Sequence, residues 1–91
     1  MDFEWNPRKA EINLRKHGVS FTEAGTVFGD ELAVTVPDPD HSKSEDRYLT
    51  IGWSNQRRLL MVSHTDQDNR IRIISARELT KAERKAYEEE N

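Results

Sequence analysis

At 91 residues and without cysteine, this chain has material for one hydrophobic core, and none for disulfide staples, thiolate zinc sites or thiol nucleophiles. Apolar and charged residues each make up 34% of it, so a thin core under a polar surface is expected, and burial of a large ligand is not. The formal net charge of −3 argues against strong phosphate binding, yet residues 41–77 hold seven basic and four acidic side chains, a local +3 that leaves −6 elsewhere.

That distribution suits a basic sheet in an acidic wrapper, meeting RNA on one side and a basic partner on another; scattered solvated charge explains it equally well. No apolar run is long enough to span a bilayer. Met1-Asp2-Phe3-Glu4-Trp5 lacks the basic and hydrophobic regions of a signal peptide, so the cytoplasm is the expected location. The chain reads as a single domain, residues 1–91, without repeats or linkers.

In chain order, Asn6-Pro7 is an N-cap followed by proline at the first helical position, and Gly18 fits the left-handed position after the last turn. The first helix is therefore expected over Pro7–His17, with Ala10, Leu14 and His17 on its buried side. Ser20-Phe21-Thr22-Glu23 is a capping box, in which Ser20 accepts from the Glu23 N–H and the Glu23 carboxylate reaches back. It opens a second helix with the apolar stripe Phe21, Ala24, Val27 and Phe28, ended by Gly29.

A strand is expected over Leu32–Val36, broken by Pro37-Asp38-Pro39-Asp40. Three segments then read as an antiparallel meander, Arg47–Trp53, Leu59–Thr65 and Arg70–Ala76, joined by two short turns. Strict alternation puts Arg47 with Leu49, Ile51 and Trp53, and puts Ile71, Ile73, Ser75 and Arg77 on one face with Arg72 opposite. Thr80-Lys81-Ala82-Glu83 caps a final, weakly amphipathic helix running through Tyr87. The fold class is thus α+β, with two N-terminal helices, an antiparallel sheet of about four strands and a C-terminal helix.

Nucleotide and metal enzymes are poorly supported. The chain has no Gly-rich phosphate loop and no Gly-x-Ser-x-Gly elbow, and its three histidines, His17, His41 and His64, are scattered; no metal or cofactor is called for. What remains is an acid, base and cation set around the sheet: His41, Glu45, Arg47, His64, Arg72 and Arg77. Those types suit metal-free RNA cleavage, in which a base takes the ribose 2′-OH proton, cations stabilise the phosphorane and an acid protonates the leaving 5′-oxygen. The same types also form structural ion pairs; Glu45 with Arg47 is one that would pin the loop to the sheet. His17, beside Gly18, favours a helix-terminal role, His41 fits a loop cap or an acid–base group equally, and His64 near a strand end fits catalysis or a backbone contact. Trp5, Tyr48 and Trp53 suit core filling better than base stacking.

The order of motifs adds a resemblance. Phe3-Glu4-Trp5-Asn6-Pro7-x-Lys9-Ala10-x-x-Asn13-x-x-Lys16-His17-Gly18-Val19-Ser20-Phe21, then His41-Ser42-x-x-Glu45-Asp46-Arg47, then Ile73-Ile74-Ser75-Ala76-Arg77 before a Glu/Arg/Tyr-rich helix, resemble the BrnT toxin family over nearly the whole chain. Asn6 stands where many members have Asp and keeps the cap. The resemblance implies a RelE-like fold, the toxin half of a bacterial type II toxin–antitoxin pair, and inhibition of translation by RNA cleavage. It also implies a BrnA-like antitoxin whose ribbon-helix-helix segment binds operator DNA, so that the complex represses its own operon. By the same resemblance Glu45, Arg47 and Arg77 match motif positions, with Lys16, His17, His41 and His64 as further candidates. Arg47 and Arg77 would hold the scissile phosphate, and Glu45 or His64 would transfer protons. The alternative is an interaction protein of related fold that acts without catalysis.

Overall fold

The computed structural model describes residues 1–40 and 46–90. Among them, five strands form one sheet: β1 (Asp2–Glu4), β2 (Val34–Pro37), β3 (Arg47–Trp53), β4 (Leu59–Gln67) and β5 (Arg70–Glu78), in the order β1-β5-β4-β3-β2. Helices α1 (Pro7–His17) and α2 (Phe21–Thr26, continued by a 3-10 turn over Val27–Gly29) follow β1, and α3 (Lys81–Glu90) follows β5.

The expected four antiparallel strands are corrected to five. β1 pairs parallel with β5, placing Phe3 beside Ile71, and it escaped notice because three residues are too few to display a period. β2 begins two residues later than expected and includes Pro37, which an edge strand tolerates because its missing N–H costs no ladder bond there.

The helix signals hold at both ends of α1. Asn6 Oδ1 accepts from Arg8 N at 2.9 Å and Lys9 N at 3.2 Å, and Gly18 adopts φ 69°, a left-handed conformation that glycine enters without a Cβ clash. Its packing differs from expectation, because Leu14 is 50% exposed and the buried residue is Asn13. Asn13 Nδ2 donates to Val19 O at 3.0 Å and Ala76 O at 2.8 Å, while its Oδ1 accepts from Ala76 N at 3.1 Å. One amide thus completes the ladder edge of β5 and ties α1 to it, where an apolar side chain would leave backbone groups unpaired.

Ser20 caps α2 as expected, accepting from Glu23 N at 3.0 Å. The Glu23 carboxylate does not reach back. It is buried and taken by Arg58 through two guanidinium nitrogens, with Ser54 Oγ donating to it at 2.6 Å. Arg58 also donates to Gly18 O at 3.0 Å, so this pair locks the turn before β4 against the α1–α2 junction, and its hydrogen bonds hold the Glu23 carboxyl below its ordinary range.

Val19, Phe21, Ala24 and Val27 from the helices meet Leu60, Val62, Ile71, Ile73 and Ala76 from the sheet as one apolar core. Gly52 permits the closest approach, since a Cβ there would lie 2.9 Å from Ala33 Cβ and 3.1 Å from Val27 Cγ1. α1 and α2 therefore close one face of the sheet. α3 lies on the other, beside Ile51 and Met61, with no buried residue of its own. It is held by Tyr87 Oη donating to Leu32 O at 3.2 Å, by the Arg84 guanidinium 5.1 Å from the Trp53 ring centre, and by an ion pair described below.

Asn13→Ala should lower the unfolding free energy by about 2 kcal/mol, because buried amide and carbonyl groups lose their partner; urea denaturation of the two proteins measures this.

Candidate functional site

The face of the sheet opposite α1 and α2 is decided by one irregularity. Ser63 pairs with Ser75 but His64 pairs with Ile73, so Ile74 is an extra residue and the β4–β5 ladder steps there. Strict alternation had placed Ile71 and Ile73 with Ser75 and Arg77, and Arg72 opposite. With the bulge, Ile71 and Ile73 point into the core, while Arg72, Ser75 and Arg77 share the open face. Arg47, Thr65 and Arg72 stand in register across three strands there, followed by Leu49 with Ser63 and Ser75, and then Ile51 with Met61 and Arg77.

A groove of about 350 Å³ runs over this face, lined by Arg47, Arg77, Ser63, Ser75, Asp38 and Asp40 among others. Asp38 and Asp40 had been read only as part of a strand-breaking turn; no local pattern shows that the turn folds back against Arg47. Asp38 N donates to Arg47 O at 2.9 Å, and Asp38 Oδ1 accepts from Asp40 N at 3.1 Å. With two aspartates beside two arginines the groove itself is nearly charge-balanced. A second cleft of about 200 Å³, lined by Lys9, Lys16 and His17 of α1, shares Ile74 and Ser75 with it. The bulge is thus the junction between a lysine-bearing cleft and an arginine-bearing groove, and the cationic excess lies at the ends of the path, at Lys9 and Lys16 on one side and Arg72 on the other.

Arg77 is not open to solvent on all sides. Its Nη1 donates to Glu83 Oε1 at 2.7 Å and Glu78 O at 3.2 Å, and its Nη2 donates to Glu83 Oε2 at 2.9 Å with Met61 Sδ 3.5 Å away. Glu83 is the third helical residue of α3 and closes the reciprocal cap with Thr80: Thr80 N donates to Glu83 Oε1 at 2.9 Å and Glu83 N to Thr80 Oγ1 at 3.2 Å. The sequence signal for Glu83 was therefore correct as a cap but silent on its second use. The bidentate contact with Arg77, and then the Thr80 N–H, lower its carboxyl to about 2.

His64 lies on the opposite, helix-covered face and is 1% exposed. Its Nδ1 is 2.8 Å from Asp66 Oδ1 and its Nε2 2.7 Å from Thr50 Oγ1, which is 2.7 Å from Thr35 Oγ1. A carboxylate only accepts, so Nδ1 carries the proton and Nε2 accepts from Thr50. Phe28 meets the ring edge-on at 4.9 Å and Tyr48 stacks on it at 5.9 Å. Burial pushes the imidazole below its ordinary 6.5, with Asp66 opposing the shift. The sheet therefore separates His64 from Arg47 and Arg77. Glu45 and His41 lie outside the described residues.

The geometry defines a small α+β protein whose sheet is closed by helices on one face and carries on the other a groove of arginines, carboxylates and hydroxyls. A family described as the ribonuclease toxin BrnT of type II toxin–antitoxin systems matches residues 5–83, and the chain belongs to that family. The crystal structure of the Brucella abortus ribonuclease toxin BrnT is similar to it in fold, with a TM-score of 0.70 and 24% identity over 89% of this chain and 99% of that one. Among curated proteins none matches.

The depressed His64 sets a pH dependence. The unfolded chain binds a proton near 6.5 that the folded chain refuses until lower pH, so stability is full above about 6.5 and declines below it. Denaturation midpoints measured from pH 8 to 5 should fall across that window, and His64→Gln should flatten the decline.

Proposed function

We propose that this chain is an endoribonuclease toxin, acting in the cytoplasm, that stops translation by cutting RNA without a metal ion. The observation that supports this best is the path from Lys9, Lys16 and His17 across Ile74 and Ser75 to Arg47 and Arg77, because a polynucleotide needs cations along its backbone on both sides of the bond that is cut. Lys16, His17 and Arg72 bind flanking phosphates. Arg47 and Arg77 hold the scissile phosphate and offset charge as the ribose 2′-oxygen attacks phosphorus.

In that step the base takes the 2′-OH proton, the 2′-oxygen–phosphorus bond forms, and the phosphorus–5′-oxygen bond breaks as the leaving oxygen gains a proton. Products are a 2′,3′-cyclic phosphate and a free 5′-hydroxyl. Glu45, two residues before Arg47, is the proposed base by its match to the family motif, and His41 assists substrate binding. His64, enclosed beneath the sheet, supports Thr50 and the hairpin rather than meeting RNA, which moves proton transfer away from it. The partner in this reading is a BrnA-like ribbon-helix-helix antitoxin that binds operator DNA and, with the toxin, represses the operon.

The Arg77–Glu83 pair bears on how the site is used. Both terminal nitrogens of Arg77 are engaged by Glu83, so a phosphate must displace that carboxylate to be held by the same guanidinium edge. The same pair favours the other reading, a non-catalytic interaction protein in which Arg77 serves only to dock α3.

The two readings separate on RNA. Purified Arg77→Ala and Arg47→Ala, confirmed folded, should each lose at least about a hundredfold in cleavage rate; intact RNA with the wild-type chain, together with growth arrest, supports the non-catalytic protein. Glu83→Gln should lower the KM for RNA roughly threefold or more by freeing Arg77, whereas a docking-only role predicts no change.

A further inference from the structure

On the helix-covered side, β1 borders an apolar groove of about 800 Å³ that the RNA path does not touch. Phe3 and Phe28 form one wall with rings 5.5 Å apart, and Trp5 meets Phe21 edge-on at 6.0 Å. Gly25 keeps the floor low, since a Cβ there would already lie 3.5 Å from the Phe3 ring. Phe3 is 36% exposed and Met1 81%. An aromatic groove in a chain with so little apolar material is costly to leave in water.

Its surroundings identify the occupant. The groove shares Met1 and Asp2 with a cleft of about 460 Å³ that adds Asp66 and Asp68 against Arg70. β1 is the terminal strand of the sheet, and its outer edge is not paired among the described residues. Phe3, level with the core-facing Ile71, turns toward the helices, while Asp2 and Glu4 stand level with Arg70 and Arg72. Of the two only Asp2 borders the groove, with Asp66 and Asp68 beyond it, and these carboxylates repel RNA phosphate. A second copy of the chain is disfavoured as well: antiparallel pairing of two β1 strands about Phe3 would set Asp2 opposite Glu4 twice.

We propose that this edge is the anchoring site for the protein antitoxin. The antitoxin contributes a segment with an aromatic or aliphatic side chain that enters the groove beside Phe3, flanked by Lys or Arg over Asp2 and Asp68. The existence of that partner rests on the toxin reading; the place and chemistry of its contact do not. Because the aromatic groove and the arginine groove lie on different faces of the sheet, the antitoxin can be gripped here whatever other part of it covers the RNA path.

The test titrates the purified cognate antitoxin into the purified full chain by calorimetry. Three folded variants are compared with wild type: Phe3→Ser, which removes the aromatic wall; Gly25→Leu, which fills the groove while suiting the helix; and Asp2→Lys with Asp68→Asn, which removes the acidic margin. Each should weaken binding at least about tenfold, and RNA cleavage by the free variants should match wild type. Affinities within about twofold of wild type for all three overturn the proposal and leave the nuclease reading in place. Wild-type dimerisation in sedimentation that Phe3→Ser abolishes assigns the groove to a second copy and also overturns it. A wild-type chain that does not bind the antitoxin overturns the pairing on which it rests.

Discussion

Between Ser63 and His64 of β4 the ladder to β5 steps by one residue, and Ile74 is left over. Side chains along a strand alternate faces, so a single extra residue reverses every assignment beyond it. Here the reversal satisfies two demands at once: Ile71, Ile73 and Ala76 face the core, and Arg72, Ser75 and Arg77 face the groove. Without the step, Arg77 would be directed under α1 and α2, away from Glu83, or Ile71 and Ile73 would be exposed. The Asn13 amide fastens the strand just beyond the bulge by bonding both backbone groups of Ala76. The clamp and the step together keep the lysine-bearing cleft of α1 next to the arginines of the sheet.

A thin apolar core is supplemented by buried polar contacts. Asn13, Glu23, Thr50 and His64 are all nearly inaccessible, a large polar share for so short a chain. Glu23 with Arg58 and His64 with Thr50 join segments distant in sequence, Asp66 completes the bonding of the imidazole from the same strand, and both clusters have the directional geometry that makes a burial of this kind tolerable. Residue types that suggest catalysis are in these cases consumed by the fold. An ionisable side chain in a small charged protein has to be located on a face before a chemical role can be given to it.

The two faces divide the work. The helix-covered face supplies stability and, at the β1 edge, an aromatic groove with acidic margins. The other face carries polar and cationic groups beneath a helix with no buried residue, held mainly by a carboxylate on Arg77, a ring contact and one hydroxyl. The groove is close to electrically neutral, so affinity for a polyanion depends on where the outlying cations stand rather than on net charge. That accounts for a ribonuclease-family chain with an overall charge of −3.

Much of the architecture was legible from local chemistry. Asn6, Pro7 and Gly18 bound α1, Ser20 starts α2, Thr80 and Glu83 start α3, and β-branched runs separated by turn residues mark β3, β4 and β5; each signal acts within a few residues and needs no tertiary partner. The family, too, was written in the order of its motifs. Other features depend on contacts made across long stretches of chain. β1 is too short to declare itself before β5 pairs with it, and Leu14 loses its place in the core because Asn13 finds backbone partners 63 residues away. Asp38 and Asp40 reach the groove only when their turn folds back, and Glu83 meets Arg77 only when α3 lies on the sheet. The face on which Arg77 stands was set by one unpaired residue, and pairing is a property of two strands together, which neither strand's sequence specifies alone.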